Sequence, residues 1–489
     1  MLEKDYSLNT KFIKITLALW IILILSYRIS ICFSYLPELS NGESNNIWKA
    51  INVAHGKPMY TNPEELPLEV FQYTPISQFP IVAIAKLLDD MSPHYLYLVT
   101  ALGRFYELFV NVLLVVILYY ITRKWLNISK ITATTIAVVC FSLFTNPAFT
   151  IRPDATLLLF IGLTIWAYLK MEELNHFKWI ILTSFLIICC FYTKQDGILI
   201  TGPIGIRLLM LKKWKKLITL STVSVLLLII TISISPFVFG EDFYTCVFKG
   251  LKNTSSIVQI IHIFDRAYSF YAFHFILGLI TSIYFLIKHS KDKIALFSLI
   301  SIFYFLVAFA TSSKSGSWVN YYTPFIIFAT ITILFFLTKL QFDSKKLNPL
   351  FTFSISLIIA FFFILKQVYV YTSPFLIHSK GKNEYYAKFE NIQTLKSRLG
   401  IKKTDRILTI NQLDRNFLAE NSIMINTEYY NYASYTYDNF KKNKNKQIQY
   451  IIYKEKDKPT LNYLLQFFNV STEKYSEFKL NDFHILKKV

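Results

Sequence analysis

The sequence predicts a polytopic α-helical membrane protein. More than half of its 489 residues (54%) are hydrophobic, only 17% are charged, and the mean hydropathy is +0.40. The apolar residues come in runs of about 16 to 26 rather than in amphipathic stripes, and runs of this length can cross a hydrocarbon core of roughly 30 Å as helices. Composition and run length therefore agree on the fold class.

About eleven segments have this character. In chain order they are 13–33, 96–122, 131–149, 155–170, 178–193, 197–211, 217–239, 268–287, 294–311, 319–338 and 349–370. Three of them, 155–170, 178–193 and 197–211, are short for full spans, so the number is open by one or two. The first segment lacks a small-residue cleavage site and is interpreted as a retained signal anchor.

The distribution of basic residues predicts the orientation, because Lys and Arg are retained on the cytoplasmic side. A cytoplasmic N-terminus places all the short basic loops inside: Arg123–Lys130, Lys170–Lys178, Lys212–Lys216, Lys288–Lys293 and Lys339–Lys346. These loops and anionic headgroups explain the net charge of +20 better than a nucleic acid does. The five cysteines have no metal-ligand spacing and imply no disulfide framework.

Two domains are predicted. Residues 1–370 form the membrane body, whose largest insertion is the first outer loop, 34–95, with two juxtamembrane helices at 44–55 and 75–88. Residues 371–489 are less hydrophobic and form a small extracytoplasmic α/β domain. Its predicted elements are strands at 406–410 and 448–453, a helix at 462–468 and a last edge strand at 482–487.

Glu43 is the first candidate functional residue. It lies in Asn41-Gly42-Glu43, just after the first apolar segment and at the start of the outer loop. A carboxylate at a membrane surface is where an enzyme that acts on lipid-carried substrates needs its base. The alternative is structural, because an acid ahead of a helix is favoured by unpaired amide groups and by the helix dipole.

An ordered set of short motifs resembles the GT-C glycosyltransferases, in particular the family 39 and aminoarabinose-transferase-like branch. The matching motifs are Asn41-Gly42-Glu43, the stretch Ala50–Tyr60, Tyr73-Thr74-Pro75, Gly103-Arg104-Phe105, Arg152-Pro153-Asp154 and Thr193-Lys194-Gln195. The chain departs from the pattern in two places: Tyr73-Thr74-Pro75 replaces Tyr-Pro-Pro, and Glu43 stands where many relatives have Asp. The resemblance covers roughly the first 200 residues well and the remainder only by layout.

The resemblance implies a hexosyl or pentosyl transferase of the cell envelope. The donor would be an undecaprenyl- or dolichyl-phosphate-linked sugar, and transfer would invert the anomeric carbon by direct displacement. The acceptor would be a glycan, glycolipid or protein on the extracytoplasmic face of a bacterial plasma membrane. A divalent cation such as Mg²⁺ or Mn²⁺ would be the one conceivable cofactor.

Residue roles follow from this chemistry. Glu43 would take the proton of the acceptor hydroxyl, and Asp154 would be a second acid that holds the acceptor or the cation. The leaving phosphate needs positive charge, which Arg104, Arg152 and Lys194 would supply. As alternatives, Arg104 could pair with Glu107 on one helix face, and Asp154 could pair with Arg152 or cap a helix.

The remaining candidates for substrate binding lie at predicted outer corners and each has a plain alternative. They are His55, Tyr73, Gln195, Lys314, Asn320 and Tyr321. His55 could simply end a helix, Gln195 could terminate a span, and the aromatic residues near 314–322 could belong to an interfacial belt.

Two other functions share the span count and the basic loops. A flippase or transporter of lipid-linked glycans would carry charges at mid-membrane and related halves, whereas the acids here cluster at outer corners. A surface-polysaccharide polymerase or ligase would place its large outer loop late in the chain, whereas this chain has it first.

Overall fold

The computed structural model describes the chain in segments. The described residues are 2–35, 39, 42–62, 71–88, 93–144, 150–251, 255–314, 317–344, 354, 358, 374–402, 404–410, 412–419, 421–422, 448–467, 471–480 and 483–489. By internal packing the chain divides into two units. Unit 1 comprises Met1–Cys32, Phe105–Ile230 and Ser255–Pro374, and unit 2 comprises Phe33–Arg104, Thr231–Thr254 and Phe375–Val489.

The described part of the chain is predominantly helical. In chain order its helices are α1 (Leu2–Cys32), α2 (Glu43–Ala54), α3 (Phe79–Leu88), α4 (Pro93–Trp125), α5 (Lys130–Ser142), α6 (Pro153–Glu173), α7 (Phe177–Thr193), α8 (Thr201–Met210), α9 (Trp214–Phe239), α10 (Phe243–Val247), α11 (Ile257–Phe273), α12 (Leu279–Lys288), α13 (Ile294–Thr311), α14 (Thr323–Ser344), α15 (Pro374–Leu399), α16 (Gln412–Phe417) and α17 (Lys458–Phe467). The strands are β1 (Ile407–Thr409), β2 (Tyr450–Tyr453), β3 (Tyr475–Leu480) and β4 (Phe483–Lys488).

The chain is a multi-pass membrane protein. Among the described residues, seven helical segments are long and apolar enough to cross a bilayer: Lys11–Cys32, His94–Trp125, Pro153–Glu173, Trp214–Phe239, Ile257–Lys288, Ile294–Thr311 and Val319–Leu340. The predicted spans at 131–149, 178–193 and 197–211 correspond to shorter helices, and the one at 349–370 falls almost entirely outside the described residues. The number of spans and their orientation therefore stay predictions.

The core of unit 1 is built around two enclosed helices. The apolar window of α6 is 72% buried and that of Val319–Leu340 is 78% buried, whereas only 11% of the window of α9 is buried. Apolar side chains on α9, such as Leu226, Ile229 and Ile230, are exposed, and a continuous exposed apolar surface is unfavourable in water. We interpret them as a lipid-facing surface.

A buried charge network lies at the C-terminal end of α6. The guanidinium of Arg207, fully buried on α8, donates to the Glu172 carboxylate at 3.4 and 3.5 Å and to the carbonyl oxygens of Ser290 and Lys291. Lys293 and the Tyr168 hydroxyl also donate to Glu172. The network ties α6, α8 and the loop after α12 together inside unit 1.

Unit 2 contains the first-loop helices and a mixed sheet. The strand order is β1-β2-β4-β3, with β1 and β2 parallel and the other pairs antiparallel; Leu408 faces Ile451, and Ile452 faces Ile485. The predicted helix at 44–55 is confirmed as α2, and Gly56 follows it in the left-handed region. Helical structure is also confirmed within 75–88 and 462–468.

One strand assignment was wrong. The segment at 482–487 was predicted to be an edge strand, but β4 pairs with β2 on one side and with β3 on the other. The edge strand is β3, which the sequence pattern missed because its inner residues Ser476–Lys479 are exposed and carry no alternating apolar signal.

Candidate functional site

The first turns of α2 are enclosed although they are polar. Glu43, Ser44, Asn45, Asn46, Lys49 and Asn52 are all buried. The sequence predicted a helix with one apolar face lying along the membrane surface, and such a helix would leave its polar face in water. Burial of both faces is costly unless the polar groups are paired, so the contacts of these residues are the first place to look for function.

Glu43 forms a fully buried ion pair with Arg104. The Arg104 Nε donates to Oε1 at 2.9 Å and its Nη2 donates to Oε2 at 2.8 Å, and both side chains are 0% exposed. The backbone N–H of Leu39 also donates to Oε2, at 2.8 Å. This two-pronged geometry is the strong form of a carboxylate–arginine contact. Two residues predicted from separate motifs, 61 positions apart, therefore belong to one group within unit 2.

A second group forms around Asp154 in unit 1. Asn320 Nδ2 donates to Oδ1 at 2.7 Å, Lys194 Nζ lies 3.2 Å from Oδ1, and Arg152 Nε lies 3.2 Å from Oδ2. Lys194 also contacts Asp196 at 3.4 Å, and its Nζ lies 4.5 Å from the centre of the Tyr321 ring. We refer to Arg152, Asp154, Lys194, Asn320 and Tyr321 as the Asp154 cluster.

The local fold explains why the Asp154 cluster assembles. Asp154 lies in the first turn of α6, where the helix dipole favours a negative charge. Lys194 caps α7 in an extended conformation, and Asn320 and Tyr321 lie on the 3₁₀ turn that leads into α14. The ion pair of Arg152 and Asp154, which the sequence left open as the structural alternative for Asp154, is present, while the sequence could not show that Lys194 and Asn320 reach the same carboxylate.

The surroundings of Asp154 do not suit a metal ion. Two cations and an amide N–H point at its oxygens, and this arrangement repels a divalent cation, which prefers several carboxylate and carbonyl oxygens. Among the described residues, no group of three or more His, Cys, Asp or Glu side chains could hold one. We therefore derive no reaction step through a metal.

The structure also places the other predicted candidates. His55 caps the end of α2, and its Nδ1 lies 2.7 Å from the Ile51 carbonyl oxygen. The carbonyl oxygen of Tyr73 accepts a hydrogen bond from the Tyr60 hydroxyl. Gln195 begins a 3₁₀ turn, and Lys314 forms a backbone bridge with Ser255. Their roles in substrate binding stay predictions.

Sequence reasoning missed two residues of the C-terminal region that contact the residues directly after Glu43. Arg415 and Asn416 of α16 donate to Ser44 and Asn45, the residues that follow Glu43. Neither residue belongs to a motif, and α16 is a six-residue helix in a segment without clear periodicity. Their polar side chains did not mark them as contact residues, because polar residues in a small domain are ordinarily exposed to solvent.

Gly197 carries a prediction about the corner that positions Lys194. A Cβ at this position would lie 2.3 Å from the Cys190 carbonyl oxygen and 2.7 Å from Leu157 Cδ1. We expect Gly197→Ala to lower the free energy of unfolding by about 1–3 kcal/mol, as overpacking does. Gly205→Ala is the control, because its nearest neighbour would be Leu217 Cδ1 at 3.8 Å. Unfolding in detergent measures both, and equal midpoints for the two variants would contradict the prediction.

Comparisons with known proteins agree with this architecture. Residues 96–239 match the sequence profile of the dolichyl-phosphate-mannose-protein mannosyltransferase family. The structure is similar to ArnT from Cupriavidus metallidurans bound to undecaprenyl phosphate, with 12% identity, a TM-score of 0.58 and coverage of 96% of this chain and 98% of that one. No curated protein sequence matches the chain.

The structure is also similar to the oligosaccharyltransferase of Archaeoglobus fulgidus. Its apo form matches with 10% identity, a TM-score of 0.51 and coverage of 93% of this chain and 72% of that one. The form tethered to an acceptor peptide containing the NVT sequon matches with 11% identity, a TM-score of 0.52 and coverage of 96% and 74%. The resemblance predicted from the motifs is confirmed: the chain has the GT-C fold of membrane glycosyltransferases.

Proposed function

We propose that this protein is a membrane glycosyltransferase that moves a sugar from a polyprenyl-phosphate donor to a glycan, glycolipid or protein acceptor. The observation that carries the proposal is the buried Glu43–Arg104 pair, which combines a proton acceptor with a cation in one enclosed group. The matched mannosyltransferase family and the similarity to an ArnT bound to undecaprenyl phosphate support a lipid-phosphate donor.

In the proposed step Glu43 acts as the general base. The acceptor oxygen attacks the anomeric carbon while the bond from that carbon to the phosphate oxygen breaks, and its electron pair leaves with the polyprenyl phosphate. The proton of the acceptor hydroxyl passes to the Glu43 carboxylate. The attack comes from the side opposite the leaving phosphate, so the anomeric configuration inverts.

The contact with Arg104 explains how one arginine serves two roles. Its guanidinium holds the carboxylate of Glu43 in a fixed orientation, and two oxygens of a phosphate can accept the same pair of N–H hydrogen bonds. A substrate group that takes over one of these N–H groups would release a carboxylate oxygen for the acceptor hydroxyl.

The Asp154 cluster is assigned its role independently. Lys194 and Arg152 carry two positive charges; both pair with Asp154, and Lys194 also pairs with Asp196. We propose that these cations bind the donor phosphate and that Asp154 holds them in place. Asn320 holds the Asp154 carboxylate through a hydrogen bond, and the Tyr321 ring holds Lys194 through a cation–π contact. These contacts keep the cations oriented before the donor binds.

Lys194→Gln tests this assignment. A hydrogen bond to a charged group contributes about 1.5–3 kcal/mol, so we expect the KM for the donor to rise at least tenfold while the KM for the acceptor stays the same. Steady-state kinetics with each substrate varied in turn gives both values. Lys215→Gln, an exposed lysine at the start of α9, is the control. Equal increases for donor and acceptor would contradict a phosphate-binding role.

The proposed function itself is tested with purified protein in lipid nanodiscs. A panel of radiolabelled polyprenyl-phosphate sugars is supplied with candidate acceptors, and the release of polyprenyl phosphate is followed. We expect turnover of at least one donor. If the protein consumes no donor but moves a lipid-linked sugar across proteoliposomes, the transport alternative replaces the proposal.

A further inference from the structure

Residues of the C-terminal region contact α2 directly after Glu43. Arg415, 3% exposed, donates from Nη2 to the Ser44 Oγ at 3.1 Å and to the Asn45 Oδ1 at 2.6 Å. Asn416 Nδ2 donates to the same Ser44 hydroxyl at 3.1 Å. A guanidinium that bonds both residues after Glu43 restrains the direction in which the first turn of α2 points.

Further along α2 a second contact anchors the helix. The Trp48 Nε1 donates to the Ser422 Oγ at 2.7 Å, and the Ser422 hydroxyl donates to the Arg415 carbonyl oxygen at 3.0 Å. Trp48 is 1% exposed. The residues that bond α2 are thus bonded to each other, which makes the contact a small rigid assembly rather than a set of independent bonds.

The segment before Glu43 is also held by the C-terminal region. The Tyr35 ring stacks on Tyr97 at 4.2 Å, and Tyr385 and Tyr386 of α15 lie 5.5 and 5.9 Å from Tyr35. Tyr97 lies on α4, two turns before Arg104. The C-terminal region therefore contacts the chain on both sides of Glu43 and the helix that carries Arg104.

We propose that Arg415, assisted by Asn416, is a positioning residue for the Glu43–Arg104 pair. The inference rests on the proposed function, because the orientation of the pair matters for turnover only if Glu43 accepts a proton. Misplacement of a catalytic group by about 1 Å can lower a rate about a hundredfold. The C-terminal region then contributes to catalysis through Arg415, although its residues need not touch the substrates.

This role differs from simple packing of the C-terminal region. Apolar contacts such as Phe417 with Tyr385 and Phe389 do not depend on the Arg415 guanidinium. Loss of that guanidinium should therefore leave the sheet and the aromatic contacts in place while the first turn of α2 loosens. A purely structural role would instead weaken the whole unit without a selective effect on turnover.

The test compares Arg415→Gln and Arg415→Lys with the control Lys388→Gln. Lys388 lies 3.5 Å from Asp414 in the same region, and Asp414 is not on α2. We expect Arg415→Gln to lower kcat about 10- to 100-fold, while the KM values for donor and acceptor stay within about threefold of wild type. Arg415→Lys should recover part of the lost kcat, and Lys388→Gln should keep the kcat of the wild type. If kcat of Arg415→Gln stays within twofold of wild type, the inference is overturned.

Hydrogen exchange of the amides in Glu43–Ala54 gives a second readout that needs no substrate. We expect faster exchange in Arg415→Gln, confined to α2, with the β2 and β4 amides unchanged. Unchanged exchange in α2 overturns the inference even if the wild type consumes no donor. Faster exchange in α2 together with an inactive wild type supports the contact and refutes the proposed function. If Arg415→Gln does not fold, Asn416→Ala and Ser44→Ala remove single bonds of the same contact and are read by the same criteria.

Discussion

Replacing Glu43 with Gln is expected to lower both transfer and stability, whereas replacing Glu43 and Arg104 together is expected to recover stability alone. Removal of one partner from a buried ion pair leaves an uncompensated charge and costs about 3–5 kcal/mol, while removal of both charges is often close to neutral. A general base contributes about 10²- to 10⁴-fold to the rate. Thermal unfolding and donor turnover of Glu43→Gln, Arg104→Gln and the double variant separate the two effects.

The double variant is the decisive member of this series. If it regains the unfolding midpoint of the wild type and stays at least 100-fold slower in transfer, the Glu43–Arg104 pair is required for chemistry and not only for folding. If it regains activity along with stability, Glu43 is a structural residue and the base lies elsewhere. Gln is the matched substitution for Glu because it preserves shape and can still accept the Leu39 amide hydrogen bond.

The second large effect is expected at the buried network around Glu172. Arg207→Met removes a fully buried guanidinium that bonds Glu172 and two carbonyl oxygens, so we expect the free energy of unfolding to fall by about 3–5 kcal/mol. Transfer per folded molecule should not change, because none of the residues assigned to the reaction contacts this network among the described residues. Thermal unfolding and turnover normalised to folded protein measure the two quantities.

The neighbouring residue supplies a matched control. Glu173 pairs with Lys124 at 3.7 Å, and both side chains are at least one-third exposed. Exposed pairs contribute about 0–1 kcal/mol, so Glu173→Gln should leave the unfolding midpoint nearly unchanged. Equal losses for Arg207→Met and Glu173→Gln would mean that burial of the network has no energetic consequence and would refute the prediction.

The sequence predicted the helices of this fold well because their signal is local. Apolar runs marked the segments that became α1, α4, α6 and α9, and the spacing of Ile47, Ile51 and Ala54 marked α2. Span number is a weaker prediction, since α5 and α7 are apolar but shorter than a bilayer requires. Length alone does not tell a short span from a helix buried within the protein.

The candidate site was predictable residue by residue but not as a set of contacts. Motif positions singled out Glu43, Arg104, Asp154 and Lys194 as candidates. Each of them also had a purely structural explanation, which the sequence could not exclude. The sequence suggested Glu107, three residues away, as a partner of Arg104. The structure shows that Arg104 pairs with Glu43, which lies on a different helix. Contacts between distant segments, including those of Arg415, depend on tertiary packing and leave no periodic pattern.

The place of β4 within the sheet has a consequence for biosynthesis. Residues 483–488 join β2 to β3, so among the described strands β3 has no partner until this segment is available. Helix α2 leaves the ribosome more than 400 residues earlier, at about 5–20 residues per second. The polar first turn of α2 would lack Arg415 and Asn416 until these residues follow, about 360 residues after the end of α2. A nascent chain would thus hold its membrane helices well before its proposed base is oriented, which delays activity until the C-terminal region has folded.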